Sequence, residues 1–180
     1  MRNISEKELL KVAKNIKLII LDVDGVLTDG SIILDSKANE LKSFHVRDGH
    51  GIKMVGKAGI IVAMITGRYS KVVERRAREL RITEVYQKCH DKRIAFRHLI
   101  EKYSIDSKEV AYIGDDIVDL PLLKKSGFSV AVADATEEAK NAAMMITKNK
   151  GGRGAVREVC DFLLKAKGLW EGIIDEYGKT

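Results

Sequence analysis

The stretch IKLIILDVDGVLTDG, residues 16–30, decides the fold of this chain. Its first part is a continuous apolar run over residues 16–23, which predicts a central strand buried on both faces. The run ends in two carboxylates, Asp22 and Asp24, and Gly25 then frees the backbone for a turn. An acidic turn directly after a buried strand indicates a functional site at the end of that strand.

Further apolar runs predict the rest of a sheet. They cover residues 60–66, 110–114 and 128–132, with a short fifth run at residues 144–146. Stretches of helical pattern separate them, at residues 49–57, 69–80, 91–103, 116–124, 136–142 and 155–165. Because strands and helices alternate, the sequence predicts an α/β fold with three layers, in which helices flank a doubly wound, mostly parallel sheet. Such sheets bind ligands beyond the carboxyl ends of their strands.

Residues 30–46 interrupt this alternation. Two short apolar stretches flank the polar sequence DSKAN, residues 35–39, which predicts a β-hairpin inserted after the first strand. An exposed hairpin is marginally stable alone, so the insertion favours oligomerisation through it. A chain of 180 residues suits one domain. We therefore expect a single domain over residues 1–180, with the hairpin at about residues 30–46 and a C-terminal tail at about residues 166–180.

The charge and composition argue against two classes of partner. The chain has 32 Lys and Arg against 26 Asp and Glu, a net charge of +6. Its densest basic cluster, residues 75–81, contains no aromatic side chain and alternates with apolar residues, which is typical of a helix and not of a nucleic-acid-binding arm. No apolar run approaches the ~20 residues that cross a bilayer. Neither a nucleic acid nor a membrane is therefore expected as a partner.

The cysteines and the N-terminus favour a cytoplasmic location. Cys89 and Cys160 are far apart and form no CxxC pair, which predicts two reduced thiols and neither a disulfide nor a zinc site. Residues 1–15 are charged and amphipathic, and they lack the apolar core and cleavage site of a signal peptide. A reducing cytoplasm is therefore the expected compartment.

Two acidic motifs follow predicted buried strands. The first is the pair Asp22 and Asp24, and the second is the run of Asp115, Asp116 and Asp119. Carboxylates this close repel one another unless a cation lies between them or one is protonated. Oxygen ligands of this kind suit a hard cation such as Mg²⁺. A solvated acidic turn and a helix-capping cluster are the alternatives without a metal.

A hydroxyl group and an amine complete the pattern. Thr66 and Gly67 end the second apolar run, where a hydroxyl and free backbone N–H groups at a helix start can hold a phosphoryl oxygen. Lys92 opens a predicted helix, where its charge opposes the helix dipole and a functional role explains its presence. Taken singly, Thr66 could be only a helix cap and Lys92 could lie on a solvated face.

Together the four motifs predict phosphoryl transfer, because a parallel sheet brings its carboxyl ends to one pocket. Asp22 would attack phosphorus and form an acyl phosphate. Asp24 would protonate the leaving oxygen and then deprotonate the attacking water. Mg²⁺ held by Asp22 and Asp115 would offset the carboxylate repulsion, and Thr66 and Lys92 would stabilise charge on the phosphoryl oxygens.

In this order the motifs resemble those of the haloacid dehalogenase-like phosphatases, and the match covers nearly the whole chain. The four motifs are DVDGVLTDG (residues 22–30), ITGR (residues 65–68), Lys92 and GDDIVD (residues 114–119). The resemblance implies that Asp22 and Asp115 ligate Mg²⁺ through their side chains and Asp24 through its backbone carbonyl. Asp116 and Asp119 would support these ligands.

A narrower resemblance lies in three stretches. FHVRDGHGIK (44–53), VAYIGDDIVDLP (110–121) and KGGRGAVREVCDFLL (150–164) resemble the phosphatases of 3-deoxy-D-manno-octulosonate 8-phosphate, here KDO 8-phosphate. The glycines of residues 151–154 could form a flexible lid or a plain loop before a helix. The resemblance implies a homotetramer without a cap domain, assembled by the hairpins, in which a neighbouring subunit and its tail complete each site. It also implies Mg²⁺-dependent hydrolysis of this acidic sugar phosphate, a step in the synthesis of a lipopolysaccharide precursor.

The same resemblance assigns the substrate-binding residues. They are Asp24, His45, Val46, Arg47, Asp48, Gly49, Lys53, Gly67, Arg68, Arg76 and Lys92. Cationic side chains among them suit both the carboxylate and the phosphate of such a substrate. The chain departs from the family at His45 and Lys53, where Asn and Arg are commoner. Arg76 lies within an apolar helix stripe, which either a functional role or a snorkelling side chain explains.

Three other functions share parts of this pattern. A phosphatase for a nine-carbon, sialic-type sugar phosphate would use the same site. A signalling receiver module also combines an acidic pair with Thr and Lys, but the insertion at residues 30–46 has no place in it. A non-catalytic subunit would keep the fold without the chemistry.

Overall fold

The computed structural model describes residues 4–179 of the chain; residues 1–3 and 180, the ends of the expected domain, lie outside the described residues. The strands are β1 (Leu18–Leu21), β2 (Ile33–Leu34), β3 (Glu40–Leu41), β4 (Ile61–Ile65), β5 (Glu84–Tyr86), β6 (Val110–Gly114), β7 (Phe128–Ala131) and β8 (Met145–Ile146). The helices are α1 (Glu6–Ala13), α2 (Val46–Lys57), α3 (Lys71–Leu80), α4 (Lys92–Tyr103), α5 (Leu120–Lys125), α6 (Glu137–Ala142), α7 (Ala155–Ala166) and α8 (Trp170–Gly178). Two short 3-10 helices lie at Ser107–Glu109 and Ile117–Asp119.

Six strands form one sheet in the order β5–β4–β1–β6–β7–β8, and every neighbouring pair is parallel. β1 lies in the middle, where Leu21 pairs with Met64 of β4 on one side and with Ile113 of β6 on the other. All four residues of β1 are buried, as its apolar sequence predicts. Strands β4 and β5 lie on one side of β1, and β6, β7 and β8 lie on the other, so the strand order reverses at β1. Folds of this kind bind ligands in the crevice at the carboxyl end of the strand where the order reverses.

Helices cover both faces of the sheet. Helices α1 and α2 both pack on α7, while α4, α5 and α6 form a second row. The core between sheet and helices is mainly aliphatic, with Phe96, Tyr112 and Phe128 as its largest fully buried aromatic side chains. This arrangement confirms the predicted three-layer α/β fold, and the main sheet is parallel throughout.

The sequence pattern did not predict β5, which covers only Glu84–Tyr86. The strand contains no apolar run, and its first residue is a buried glutamate. The Glu84 carboxylate is satisfied by three donors: Lys102 Nζ at 2.6 Å, the Tyr103 hydroxyl at 2.8 Å and the Tyr86 hydroxyl at 3.0 Å. A buried carboxylate with such partners is tolerated in a strand, but two of the three partners lie on α4, far along the chain.

The segment after β1 contains the predicted hairpin. β2 and β3 pair antiparallel, with Ile33 opposite Leu41. The Asp35 side chain closes the turn by accepting hydrogen bonds from the backbone N–H groups of Lys37 and Asn39, both at 2.8 Å. Ile33, Leu34 and Leu41 are each about half exposed, at 45%, 58% and 55%. Within residues 4–179 no cap domain covers the carboxyl edge of the sheet, and the hairpin presents an apolar surface to solvent.

The remaining helices differ from prediction mainly at their ends. Residues 116–124 were expected to be one helix, but a 3-10 turn capped by Asp116 comes first, and α5 follows with Pro121 in its first turn. The predicted tail holds α8, which contacts α7. Among the helices of residues 4–179, none has the length and apolar character to cross a bilayer.

Candidate active site

Three neighbouring strands end in functional side chains. Asp22 follows β1, Thr66 follows β4 and Asp115 follows β6, so the strand pairing that places Leu21 beside Met64 and Ile113 also places these groups side by side. Asp22 and Thr66 are both buried. The edge of the sheet therefore gathers two carboxylates and a hydroxyl in one place, as the sequence predicts.

The acidic side chains form a cluster that can hold one cation. Carboxylate oxygens of Asp22, Asp115 and Asp119 all lie within 4.8 Å of one another. Burial, and then the charge of Asp119, raise the pKa of Asp22 to about 7. Burial, and then the charges of Asp22 and Asp119, raise the pKa of Asp115 to about 8. The fold keeps these carboxylates close together despite their mutual repulsion, and a bound cation would relieve that repulsion.

One atom of this cluster lacks a partner. Oδ1 of Asp115 is buried and makes no hydrogen bond within the described residues. A buried carboxylate oxygen without a donor is costly unless a ligand satisfies it. The candidate ligand atoms of the cluster are all carboxylate oxygens, which is the ligand type that Mg²⁺ prefers. The residues present therefore fit a magnesium ion.

Lys92 extends from the first residue of α4 into the cluster. Its Nζ atom lies 2.6 Å from Oδ1 of Asp119, 3.0 Å from Oδ1 of Asp22 and 3.3 Å from the Tyr112 hydroxyl. Burial disfavours the charged amine, but the charges of Asp22 and Asp119 outweigh it and raise the pKa of Lys92. The amine is therefore a fixed positive charge beside Asp22. Asp91 caps α4 by accepting a hydrogen bond from the Arg93 N–H at 3.0 Å, which orients this helix start.

Asp119 and Asp116 hold the loop after β6. The Asp119 carboxylate accepts hydrogen bonds from Lys92, the Tyr112 hydroxyl and the backbone N–H of Asp115, the last at 2.9 Å. Asp116 accepts one from the backbone N–H of Ile117 at 2.7 Å and so caps the 3-10 turn. Asp119 thus links the amine to the Asp115 loop.

Gly25 is the residue that lets the two acidic loops meet. Its φ of +89° lies in the left-handed region, and a Cβ atom at this position would stand 2.1 Å from Oδ2 of Asp115. Any side chain would therefore collide with the carboxylate. The glycine forms the close approach between the loop after β1 and the loop after β6.

Residues 151–154 pack against the loop after β1. The backbone N–H of Gly152 donates to the Val26 carbonyl at 2.9 Å, and that of Gly151 donates to Asp134 at 2.9 Å. A Cβ atom on Gly151 would stand 1.7 Å from the Gly25 carbonyl oxygen. Both glycines are buried. The segment is a packed loop before α7, and the lid interpretation is wrong for this structure.

The second motif and the hairpin meet beside the cluster. The Thr66 hydroxyl accepts a hydrogen bond from the Arg68 N–H at 3.4 Å, and Gly67 between them is exposed. The Arg68 guanidinium donates to Glu40 of β3 at 3.1 Å. The Asp24 carboxylate is paired with the amine of Lys42, the residue after β3. Thr66, Gly67 and Arg68 thus lie at the carboxyl edge beside Asp24.

Residues 45–49, which the resemblance assigns to substrate binding, lie at the start of α2. Val46 and Arg47 are exposed, whereas Asp48 and Gly49 are buried. The Asp48 carboxylate accepts hydrogen bonds from the backbone N–H groups of Gly154 and Arg157, at 3.2 and 2.7 Å, so it caps α7. Nδ1 of His45 is buried without a hydrogen-bond partner in residues 4–179. In one subunit, only part of this segment is available to a ligand.

Arg76 packs against the start of α2. Its guanidinium lies over the Phe44 ring, 5.5 Å from the centroid, and 3.3 Å from Glu79. A Cβ atom on Gly49 would stand 2.3 Å from the same guanidinium. Arg76 and Gly49 are therefore direct neighbours, as a shared binding role requires.

Lys53 lies away from the carboxylate cluster. It lines a depression with the start of β4, Ile61 and Val62, whereas Thr66 follows the end of that strand. At about 3.3 Å per residue, the strand alone separates the two ends by roughly 15 Å. The structure does not bring Lys53 to the carboxylate cluster of its own subunit.

Sequence reasoning missed three polar residues at this edge. Tyr112 lies inside an apolar strand, Glu40 lies on β3 and Lys42 directly follows β3. Nothing in the local pattern distinguishes them. Glu40 and Lys42 pair with Arg68 and Asp24, which lie far along the chain, and Tyr112 pairs with Asp119 in the loop after its strand.

The geometry has counterparts among known proteins. A sequence profile of the haloacid dehalogenase-like hydrolases matches residues 68–159. The 3-deoxy-D-manno-octulosonate 8-phosphate phosphatase of Escherichia coli is 52% identical over 161 residues, which are 89% of this chain and 86% of that protein. The crystal structure of the Yersinia pestis phosphatase of the same name superposes with a TM-score of 0.90 at 48% identity, covering 91% of this chain and 89% of that one.

A further solved relative contains ligands. The Moraxella catarrhalis 3-deoxy-D-manno-octulosonate 8-phosphate phosphatase, in complex with a magnesium ion, a phosphate ion and a KDO molecule, has a TM-score of 0.94 and 42% identity. The match covers 96% of this chain and 99% of that one.

A parallel sheet whose central strands deliver an aspartate cluster and a threonine to one edge, where a lysine from a helix start joins them, defines a haloacid dehalogenase-like hydrolase, and the chain belongs to that family. Within it, identity and coverage place the chain in the family of 3-deoxy-D-manno-octulosonate 8-phosphate phosphatases. The resemblance read from the sequence motifs is confirmed.

Proposed function

We propose that this chain hydrolyses KDO 8-phosphate to KDO and inorganic phosphate in a Mg²⁺-dependent reaction. The observation that carries the proposal is the joint presence of a buried three-carboxylate cluster and the Lys92 amine, 3.0 Å from Asp22, at the carboxyl edge of β1. Relatives at 42–53% identity, named for this activity, support the choice of substrate.

Mg²⁺ would be held by the side chains of Asp22 and Asp115 and by the backbone carbonyl of Asp24. Bound there, the cation neutralises the carboxylates and draws electron density from a phosphoryl oxygen. Asp119 is occupied by Lys92, Tyr112 and the Asp115 N–H, so its role is to hold the amine and the loop in place.

The first chemical step uses Asp22 as the nucleophile. A carboxylate oxygen of Asp22 forms a bond to phosphorus while the bond from phosphorus to the sugar oxygen breaks, and the electron pair leaves with that oxygen. The protonated carboxyl group of Asp24 gives its proton to the departing oxygen. Lys92 and Thr66 stabilise the phosphoryl oxygens as charge develops on them.

The second step regenerates the enzyme. The Asp24 carboxylate, now ionised, takes a proton from water, and the water oxygen bonds to phosphorus. The bond between phosphorus and the Asp22 oxygen breaks, which releases inorganic phosphate and restores the Asp22 carboxylate. The same residue thus serves as acid in one step and base in the next.

Recognition of the sugar is assigned to the cationic groups around this edge. Gly67, Arg68 and Lys92 lie beside the cluster and would contact the phosphate. Arg76 and the α2 start, residues 45–49, would contact the sugar and its carboxylate. Lys53 is separated from the cluster of its own chain, so its contribution requires a site in another subunit.

A homotetramer would supply the missing parts of the site. The exposed apolar side chains of the hairpin, Ile33, Leu34 and Leu41, support association through this surface. Exposed Val46 and Arg47 would then face a neighbouring subunit's site, and the tail with α8 would help close it. A cytoplasmic location stays a prediction that rests on the two separated cysteines, both free in the structure.

The deciding experiment measures phosphate release from a panel of sugar phosphates, with Mg²⁺ and with a chelator. The panel contains KDO 8-phosphate, a nine-carbon sialic-type 9-phosphate and glucose 6-phosphate. We expect turnover only with Mg²⁺. We also expect kcat/KM for KDO 8-phosphate to be at least ~10-fold above that for the other substrates, because polar contacts between the site and its substrate discriminate to at least this extent. Equal rates across the panel would contradict the choice of substrate.

Asp22→Asn is the matched control, because it keeps the side-chain shape and removes the nucleophile. We expect no turnover and an unchanged fold by circular dichroism. Retained turnover would remove Asp22 from the nucleophile role. A wild-type chain that accumulates phosphoaspartate without turnover would favour a receiver-like module instead.

A further inference from the structure

Lys42 is a buried cation to which the proposed phosphatase reaction assigns no role. Its side chain is only 1% exposed, although it follows a hairpin strand whose apolar residues face solvent. The amine pairs with the carboxylate of Asp24, and it lies 3.3 Å from the carboxylate of Glu40. Burying an amine is costly unless it is paired, and the carboxylates of Asp24 and Glu40 supply that pairing.

The pair belongs to a longer line of charges. Glu40 also accepts a hydrogen bond from Arg68 at 3.1 Å. Asp24, Lys42, Glu40 and Arg68 therefore connect three separate segments: the loop after β1, the hairpin and the loop after β4. Alternating signs along the line satisfy each group, and the hairpin is thereby fixed to the active-site edge of its own subunit.

This contact holds the side chain of Asp24. Within residues 4–179, Lys42 is the one side chain that hydrogen-bonds to the Asp24 carboxylate. The Thr28 hydroxyl holds the backbone of the same loop, because it accepts a hydrogen bond from the Gly25 N–H and donates one to the Val23 carbonyl, both at 3.4 Å. A proton donor must lie within hydrogen-bonding reach of the oxygen it protonates, and misplacement by about 1 Å can cost ~10²-fold in rate.

We propose that Lys42 is a positioning residue that holds the carboxyl group of Asp24 where it can exchange a proton with the leaving sugar oxygen. This inference rests on the proposed acid–base role of Asp24. In the step concerned, Asp22 bonds to phosphorus, the bond from phosphorus to the sugar oxygen breaks, and the Asp24 proton moves to that oxygen. Lys42 itself transfers no proton and forms no covalent bond.

A comparison of leaving groups tests the proposal. An alkoxide leaving group, as in a sugar phosphate, needs the proton from Asp24, whereas 4-nitrophenolate leaves without one. The quantity kcat/KM covers only the steps up to departure of the leaving group, so it isolates the acid role. For Lys42→Met, we expect kcat/KM for KDO 8-phosphate to fall by ~10–100-fold, within the range that a positioned acid contributes. For 4-nitrophenyl phosphate we expect a fall of less than ~3-fold.

The ratio of the two kcat/KM values is the readout, because a misfolded fraction of Lys42→Met lowers both values alike and cancels. An unchanged ratio would overturn the proposal and leave Lys42 as a structural anchor of the hairpin. Lys42→Arg keeps the positive charge and should restore the ratio partly. Lys37→Met removes an exposed lysine from the same hairpin and should leave both values within about twofold.

A double-mutant cycle with Asp24→Asn separates this proposal from the proposed function. If Lys42 acts through Asp24, then Lys42→Met should change the sugar phosphate rate little once Asp24 has been replaced. Full additivity of the two substitutions would overturn the positioning role alone. If Asp24→Asn itself leaves the ratio unchanged, then the acid role assigned to Asp24 is wrong.

Discussion

The Nζ atom of Lys92 lies 3.0 Å from Oδ1 of Asp22. The lysine begins a helix that follows an edge strand, whereas the aspartate ends the central strand. Their contact places a buried positive charge beside the proposed nucleophile, where it balances part of the carboxylate repulsion. The same amine is within reach of a phosphoryl oxygen on Asp22, so one interaction serves both the stability of the free protein and the reaction.

Replacing Lys92 with Met should therefore reduce both activity and stability. We expect kcat to fall by ~10²–10³-fold, the usual effect of removing one preorganised stabilising group. Asp22 and Asp119 would be left as buried charges without their cation, which costs about 3–5 kcal/mol of unfolding free energy. Urea unfolding and steady-state kinetics measure the two effects. Wild-type kcat in Lys92→Met would contradict the assigned role.

The raised pKa of Asp115 predicts how the metal-free protein responds to pH. The folded value is about 8, while an unfolded aspartate titrates near 3.9, so the folded state binds the proton more tightly. The stabilisation is fully present below about pH 4 and is lost as pH rises through 8. With a chelator present, the melting temperature should fall between pH 6 and 9. Asp22 acts in the same direction, with a pKa of about 7.

Asp115→Asn should flatten this pH dependence, because the amide carries no charge at any pH in that window. Thermal scans with a chelator at pH 6, 7.5 and 9 measure the difference. Added Mg²⁺ should stabilise the wild-type chain more at pH 9 than at pH 6, since the cation competes with protons for the carboxylates. Equal slopes for wild type and Asp115→Asn would contradict the assignment.

Gly25→Ala should inactivate the site through a direct collision. The new Cβ atom would stand 2.1 Å from Asp115 Oδ2, which forces the two acidic loops apart. We expect kcat/KM to fall by at least ~10²-fold, the scale of a 1 Å displacement of a reacting group.

Gly59→Ala is the matched control for backbone strain. Gly59 has a similar φ of +82°, but no atom lies within 4 Å of its Cβ position. Both substitutions cost about 1–2 kcal/mol for the left-handed backbone, so both should lower the melting temperature. Only Gly25→Ala should lose activity and Mg²⁺ affinity. Equal activities of the two variants would show that the loops adjust to the added methyl group.

Charged residues on the hairpin should disrupt the proposed tetramer. Leu34 is 58% exposed and lies on β2 beside other exposed apolar side chains. Leu34→Asp would bury an unpaired carboxylate in the assembled interface, which the assembly cannot tolerate. Light scattering coupled to size-exclusion chromatography should show a smaller species for this variant. A wild-type chain that is monomeric at micromolar concentration would contradict the assembly itself.

The fold could be predicted largely from local pattern. The run at residues 16–23 identifies β1 because a strand buried on both faces must be apolar throughout. Four of the other five sheet strands follow from the same rule. β5 does not, since Glu84 is made acceptable only by donors on β5 itself and α4. The sequence therefore predicts the role of Lys92 without predicting the strand that precedes its helix.

The site shows the same division. Parallel pairing predicts that Asp22, Thr66 and Asp115 meet, because their strands end at one edge. The sequence does not predict which side chains pair with one another. Asp119 hydrogen-bonds to Lys92 and Tyr112, and Asp48 caps α7. Each of these contacts joins residues whose distance in space has no simple relation to their separation along the chain.

The amino-acid sequence by itself indicated the parallel sheet, the acidic motifs and their common edge, because apolar runs and helical stretches are recognised locally and their alternation favours parallel strands. Only the tertiary structure decided that Lys42 is buried against Asp24, that Gly25 faces Asp115 and that Lys53 lies at the far end of β4. These depend on how separate segments pack, and packing is set by contacts among all segments at once. A polar side chain looks the same in the sequence whether its partner is water or a buried carboxylate.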